Sequence, residues 1–160
     1  MLMKKVDEIV AKILYYSCAF LMFMMVTIIF TQVVSRYAFG KPLSWSEELG
    51  RYIFVWMSFL GMAVAMHKGS HVALDILVNK LKNVSKKILM VLNNLIVVFF
   101  GFILTYSGIN LVKLGAKQTS PTLKIPMQFV YIVIPISGII LVYFVLSQTI
   151  QLLNQKEGDN

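Results

Sequence analysis

Apolar residues run through this chain in three long uncharged stretches: Ile13 to Ser35 (23 residues), Ile88 to Val112 (25) and Ile125 to Gln155 (31, its apolar part ending near Leu153). A bilayer hydrocarbon core about 30 Å thick takes roughly 20 residues of helix, so each stretch predicts a membrane span. Tyr52 to Met66 is only 15 residues, short for a span. Ahead of it, Ser44-Trp45-Ser46-Glu47 fits a capping box, in which the Ser hydroxyl and Glu carboxylate satisfy free N–H groups at a helix start. A helix begun near Trp45 reaches Met66 in 22 residues, or about 33 Å at ~1.5 Å per residue. The predicted architecture is all-α: a single integral membrane four-helix domain over 1–160, with spans near 13–35, 45–66, 88–112 and 126–150.

Between spans two and three the pattern changes. Leu74, Leu77, Val78, Leu81, Val84 and Ile88 recur at spacings of three and four, while Asp75, Asn79, Lys80, Lys82, Asn83, Lys86 and Lys87 fill the other faces. Residues 71–87 therefore predict an amphipathic helix too polar to span. Along the cytoplasmic interface, its lysines would meet anionic membrane lipids, each contributing about 1 kcal/mol. A simple cytoplasmic extension of span three is the competing reading. The other connections are short. Phe39-Gly40-Lys41-Pro42 is turn chemistry, and the third loop, Lys113 to Lys124, centres on Ser120-Pro121. Pro126 is expected early in helix four, where its missing N–H costs little. Pro135 is expected to free the Tyr131 carbonyl and kink that helix. The two halves of the chain are not evident copies, so an inverted-repeat transporter is not expected from this chain alone.

Composition agrees with a membrane protein. Charged residues make up 14% of the chain, against roughly a quarter in soluble domains, and mean hydropathy is +0.77. The net charge of +8 does not point to nucleic acid, because the lysines lie in short segments between spans. Lys4, Lys5, Lys12, Lys68, Lys80, Lys82, Lys86, Lys87 and Lys156 fall on one side; Arg36, Lys41, Arg51, Lys113, Lys117 and Lys124 fall on the other. The positive-inside rule then puts both termini in the cytoplasm and loops one and three outside. The first apolar run is too long for a cleaved signal and no small-x-small site follows it, so span one is expected to be retained. The single cysteine, Cys18, lies inside that span and offers no disulfide framework.

Candidate chemistry is sparse. His67 and His71 are at i and i+4, but Asp75 is the one nearby carboxylate and no His-Glu-x-x-His pattern is present. A haem would need axial ligands facing it, typically from different helices, and both histidines lie at one end of one loop. No catalytic, cofactor-binding or metal residue is assigned. The centres of spans one, three and four hold no acid or base; a proton or ion relay would need one there. The charges at the start of span two have a local account: Glu47 and Arg51 are at i,i+4, Glu48 and Arg51 at i,i+3, and both acids favour a helix N-terminus. Arg36 or a partner chain could complete the set, since an unpaired charge at low dielectric is costly. Local structure, subunit contact and substrate binding all stay open for this cluster. Gly61 and Ala65 form a small-xxx-small pair that lets another helix approach. Trp45 and Tyr52 fit an interfacial belt, and Trp56 and Phe59 fit packing positions.

These residues form a larger pattern. Arg36-Tyr37-x-Phe39, Pro42-Leu43-x-Trp45-x-Glu47-Glu48-x-x-Arg51, Phe54-x-Trp56, Phe59-Leu60-Gly61-x-Ala63-x-Ala65 and His71 together resemble the small membrane subunit (DctQ-type) of tripartite ATP-independent periplasmic (TRAP) transporters. Ser120-Pro121, Ile125-Pro126 and Tyr131-x-x-x-Pro135 are similar to the same family. The segment Met66-His67-Lys68 is less basic than that family leads one to expect. The resemblance implies a non-catalytic subunit in the bacterial inner membrane. It would bind and steady a large, multi-span, elevator-type permease subunit that carries the substrate and sodium sites. Its outward loops, with Lys41, Lys117, Ser120 and Pro121, would help dock a periplasmic binding protein delivering an organic acid such as sialic acid or a C4-dicarboxylate. On this reading Arg36, Tyr37, Trp45, Glu47, Glu48, Arg51, Trp56, Gly61, Ala65 and His71 serve the subunit interface or the structural motif. The alternative from another class is a membrane anchor for a respiratory or redox enzyme.

Overall fold

The computed structural model describes residues 2–68 and 83–154, with side chains described over 5–68 and 89–151. The elements are α1 (Leu2–Phe39), α2 (Ser44–His67), α3 (Asn83–Gly115), the single turn α4 (Gln128–Tyr131) and α5 (Val133–Asn154). Four segments are long and apolar enough to cross a bilayer: Lys5–Phe39, Ser44–His67, Leu89–Gly115 and Gln128–Gln151. The 38 residues of α1 make about 57 Å of helix, well beyond a bilayer core. Its first turns therefore project past the span. The segment 71–82 and His71 lie outside the described residues. Asn83 to Lys87, the end of the expected amphipathic segment, belong to the same continuous helix as span three.

The helices pack as two pairs, α3 on α5 and α1 on α2, joined where α2 meets α5. The fourth span is central: 44% of its most apolar stretch is buried, against 6% for the first. Leu60 and Ala63 of α2 meet Leu141, Phe144 and Val145 of α5, with Leu14 of α1 closing one end. Large apolar side chains on α1 and α3 face outward, as expected where acyl chains are the solvent.

Close approach of α3 and α5 rests on glycine. Gly101, Gly108 and Gly115 recur every seven residues and so share one side of α3. A methyl group on Gly108 would sit 2.7 Å from Pro135 Cδ and 2.8 Å from Pro135 N. One on Gly101 would sit 2.5 Å from Val142 Cγ2. The backbones fit together only because those side chains are absent.

Two proline expectations are refined. Pro126 is not an early helical residue: it faces Thr119 in an isolated antiparallel bridge, and α4 begins two residues later at Gln128. Pro135 acts through its missing N–H, which leaves the Tyr131 carbonyl without its usual donor. The break between α4 and α5 falls there, at Ile132, whose torsions stay helical (φ −60°, ψ −25°).

Candidate functional site

The motif charges sit at the start of α2, and the structure separates their roles. Gly40, at φ +63°, ends α1 in the left-handed region that favours glycine. Ser35 Oγ donates to the Lys41 carbonyl at 2.8 Å and fixes the turn. Leu43, extended at φ −94° and ψ 94°, is the N-cap of α2, with no side-chain capping bond. The expected capping box is therefore not formed. Ser44 is already helical. The Ser46 hydroxyl donates to the Leu43 carbonyl at 2.6 Å. Glu47 accepts a bond from Gln32 Nε2 of α1 at 2.9 Å instead of reaching back along its own helix.

Glu48 turns the opposite way. It is buried, 2% exposed, and accepts hydrogen bonds from the Thr122 N–H at 2.7 Å, the Leu123 N–H at 3.3 Å and the Tyr52 hydroxyl. Its carboxylate thus supplies the acceptor that two loop amides lack, 74 residues away in sequence. Loop three is itself folded. The Ser120 N–H donates to the Ile125 carbonyl at 2.9 Å, and the Met127 N–H donates to the Gln118 carbonyl at 2.9 Å. The Ile125 N–H reaches Ser120 Oγ at 3.3 Å, and Lys124 takes a left-handed φ of 56° to close the turn. Two turns further along α2, Trp56 Nε1 donates to the Phe129 carbonyl at 3.2 Å. Glu48, Tyr52 and Trp56, spaced by four, form one helical edge that ties α2 to loop three and α4.

The expected ion pairs are absent. Among the described residues Arg51 pairs with neither Glu47 nor Glu48; Glu47 accepts from Gln32 and Glu48 from the loop amides. Arg36 does not complete the set either: it is exposed at the end of α1, beside Tyr37, and makes no ion pair among the described residues. Arg51 instead borders an open groove of about 620 Å³ between α1 and α2, lined chiefly by Met25, Ile29, Gly50, Phe54 and Val55. Gly61 has open space where a side chain would be, and Ala65 is exposed. Among the described residues, therefore, no helix closes on the small pair. Trp45 is partly exposed at the same end of α2. In the loops Lys41, Lys117 and Pro121 are exposed. Ser120 is buried, and its hydroxyl oxygen accepts from the Ile125 N–H within the loop.

One polar contact was not foreseen in the sequence. Asp7, buried in the first turns of α1, accepts bonds from Ser147 Oγ at 2.5 Å and Gln151 Nε2 at 3.1 Å on α5. Among the described residues its second oxygen, Oδ1, is buried with no hydrogen bond of normal geometry, and the Tyr143 side chain lies beside the carboxylate. The available signal was the polar spacing Tyr143, Ser147, Gln151 at every fourth residue of span four. Nearby, Asn94 Nδ2 donates to Thr149 Oγ1 at 2.9 Å, and Gln148 Nε2 to the Met66 carbonyl at 2.8 Å. His67 packs its ring against Phe144 at 5.0 Å between centroids. Among the described residues no cluster of three potential metal ligands occurs.

Fold and site together define a polytopic α-helical membrane protein whose polar groups mostly secure its own loops and helix ends. The family model described as "Tripartite ATP-independent periplasmic transporters, DctQ component" matches residues 25–155, and the chain belongs to that family. Members are transporter components, not enzymes, which sets aside the redox-anchor reading. The chain is 27% identical over 139 residues to a candidate TRAP transporter small permease protein of Haemophilus influenzae, covering 87% of this chain and 86% of that protein. It is 35% identical over 101 residues to the C4-dicarboxylate TRAP transporter small permease protein DctQ of Rhodobacter capsulatus, covering 62% and 44%. It is also 30% identical over 124 residues to the sialic acid TRAP transporter permease protein SiaT of H. influenzae, covering 77% of this chain but 20% of that longer protein.

Proposed function

We propose that this small permease subunit binds and steadies the large, multi-span subunit of a sodium-driven TRAP transporter in the bacterial inner membrane. The observation that carries the reading is how its polar groups are used. Glu48, Tyr52 and Trp56 hold loop three, and Asp7 holds α1 to α5. No chain of titratable groups crosses the span centres among the described residues. Such a protein moves no ion by itself and works through a partner. The length of SiaT supports that partner, since this chain aligns with only 20% of it. The small subunit and the remaining permease are compatible with one continuous chain there.

Both termini lie in the cytoplasm on this reading. Loops one and three face the periplasm, where Lys41, Lys117 and Pro121 help dock the soluble binding protein. Glu47, Arg51, Gly61 and Ala65 face the large subunit, and Arg36, Tyr37 and Trp45 border that contact. The solute is an organic acid of the sialic acid or C4-dicarboxylate kind. Relatives are also named for isethionate and ectoine, so specificity resides in the other components. The test is co-purification with a large multi-span protein, and uptake in liposomes only when all three components are present. A small subunit that transports alone would refute the proposal.

A further inference from the structure

The exposed faces of this bundle differ in kind. α1 and α3 present Phe23, Phe30, Phe99, Phe102 and Tyr106 to the surroundings, side chains suited to acyl chains. α2 presents Glu47, Arg51, Phe54, Ser58, Gly61 and Ala65. Those positions follow one another by four and three residues, so they form one stripe along the helix. The stripe is too polar at one end and too small at the other for a surface that faces lipid alone.

Arg51 sharpens the point. It lies seven residues into α2, about 10 Å along the axis and past the helix start. Glu47 accepts from Gln32 and Glu48 from the loop amides, and the guanidinium forms no ion pair with either among the described residues. Beside it the groove between α1 and α2 opens, at about 620 Å³, within the range of side-chain and ligand sockets. Gly50 forms part of its lining and is itself buried.

We infer that this groove is the socket for one helix of the large permease subunit. A bulky apolar side chain of that helix fills the space between Met25, Ile29 and Phe54. A carboxylate on it pairs with Arg51, and its backbone closes on Gly61 and Ala65. The inference rests on the assembly reading above and adds its location and chemistry. A phospholipid could fill the groove with an acyl chain and meet Arg51 with its phosphate. It would gain nothing from the small residues that continue the stripe. Glu47 to Ala65 spans 18 residues, about 27 Å, which a helix follows along its whole length.

The test uses the complete transporter in membranes. Photoreactive benzoylphenylalanine is placed instead of Phe54, and, as a control on the α3 face, instead of Phe99. Position 54 should cross-link to the large subunit and position 99 should not. Arg51→Glu should reduce the co-purified large subunit about tenfold, the equivalent of ~1.4 kcal/mol, while Arg51→Lys keeps most of it. The elution profile of the Arg51→Glu chain expressed alone checks that it folds; if it does not, the cross-links decide. Cross-linking of position 54 to lipid alone, or to a second copy of this chain, overturns the inference. So does unchanged recovery with a folded Arg51→Glu. If the wild-type complex forms but cross-links only through position 99, assembly stands and this location falls. If the wild type recovers no large subunit at all, both fall.

Discussion

Replacing Gly108 by Ala is a one-methyl test of the seam between α3 and α5. The new methyl would sit 2.7 Å from Pro135 Cδ, 2.8 Å from Pro135 N and 3.1 Å from Ile134 Cγ2. Carbon contacts are comfortable at about 3.5–4.0 Å. The proline ring has no rotamer by which to leave, and its nitrogen is backbone, so α3 must back away from α5. Overpacking of this kind costs about 1–3 kcal/mol. Against that, Ala is favoured over Gly inside a helix by about 1 kcal/mol. Gly61→Ala isolates the two effects, because Gly61 has nothing within 4 Å. It collects the helix preference without the clash. The helix term is common to both variants, so their difference, about 1–3 kcal/mol, reports packing alone. The assay is thermal unfolding of each purified chain in one detergent, followed by circular dichroism. Gly108→Ala should melt below the wild type or near it, and Gly61→Ala at or above it. A Gly108→Ala midpoint equal to or above that of Gly61→Ala would refute the close-approach argument.

Other consequences can be checked in the same preparations. Glu48→Gln keeps the side-chain shape but weakens the acceptor, so the Thr122 and Leu123 amides should exchange hydrogen faster while amides within α3 do not change. Trp56→Phe removes the bond to the Phe129 carbonyl and should lower stability by about 0.5–1.5 kcal/mol, measured as a shift in thermal midpoint. Asp7→Ala leaves the Ser147 hydroxyl and the Gln151 amide without their acceptor, a loss of about 1–3 kcal/mol. Protease should then release the N-terminal turns of α1 more readily. Lys41→Glu and Lys117→Glu, both on exposed loops, should reduce uptake at limiting binding protein and leave assembly intact; unchanged uptake with both would argue against loop docking.

The start of α2 marks where sequence reading stops. Ser44-Trp45-Ser46-Glu47 matches a capping box residue for residue, yet Leu43 takes the N-cap position and the capping groups bond elsewhere. The pairing of Glu47 with Arg51 followed from their spacing, but spacing gives only proximity. In the structure Glu47 bonds the Gln32 amide and Glu48 the loop N–H groups, and neither pairs with Arg51. The role of Asp7 is hidden in the sequence for a related reason. The basic groups nearest it in sequence are Lys4 and Lys5, whereas its partners lie 140 and 144 residues away.

Three long uncharged runs, and the shorter Tyr52–Met66 run extended back to Trp45, predict four helices in a bilayer, because unsatisfied backbone groups cannot face hydrocarbon and helices satisfy their own. The Trp-x-Glu-Glu-x-x-Arg pattern set the family. Both properties are local, carried by hydropathy and spacing along the chain. Which of the two glutamates faces inward was decided only when loop three folded back over α2 and offered two amides to Glu48. The same packing left Arg51 beside an open groove, and placed Gly108 against the ring of Pro135. Those outcomes depend on contacts between residues distant along the chain, and such contacts exist only once the helices have met.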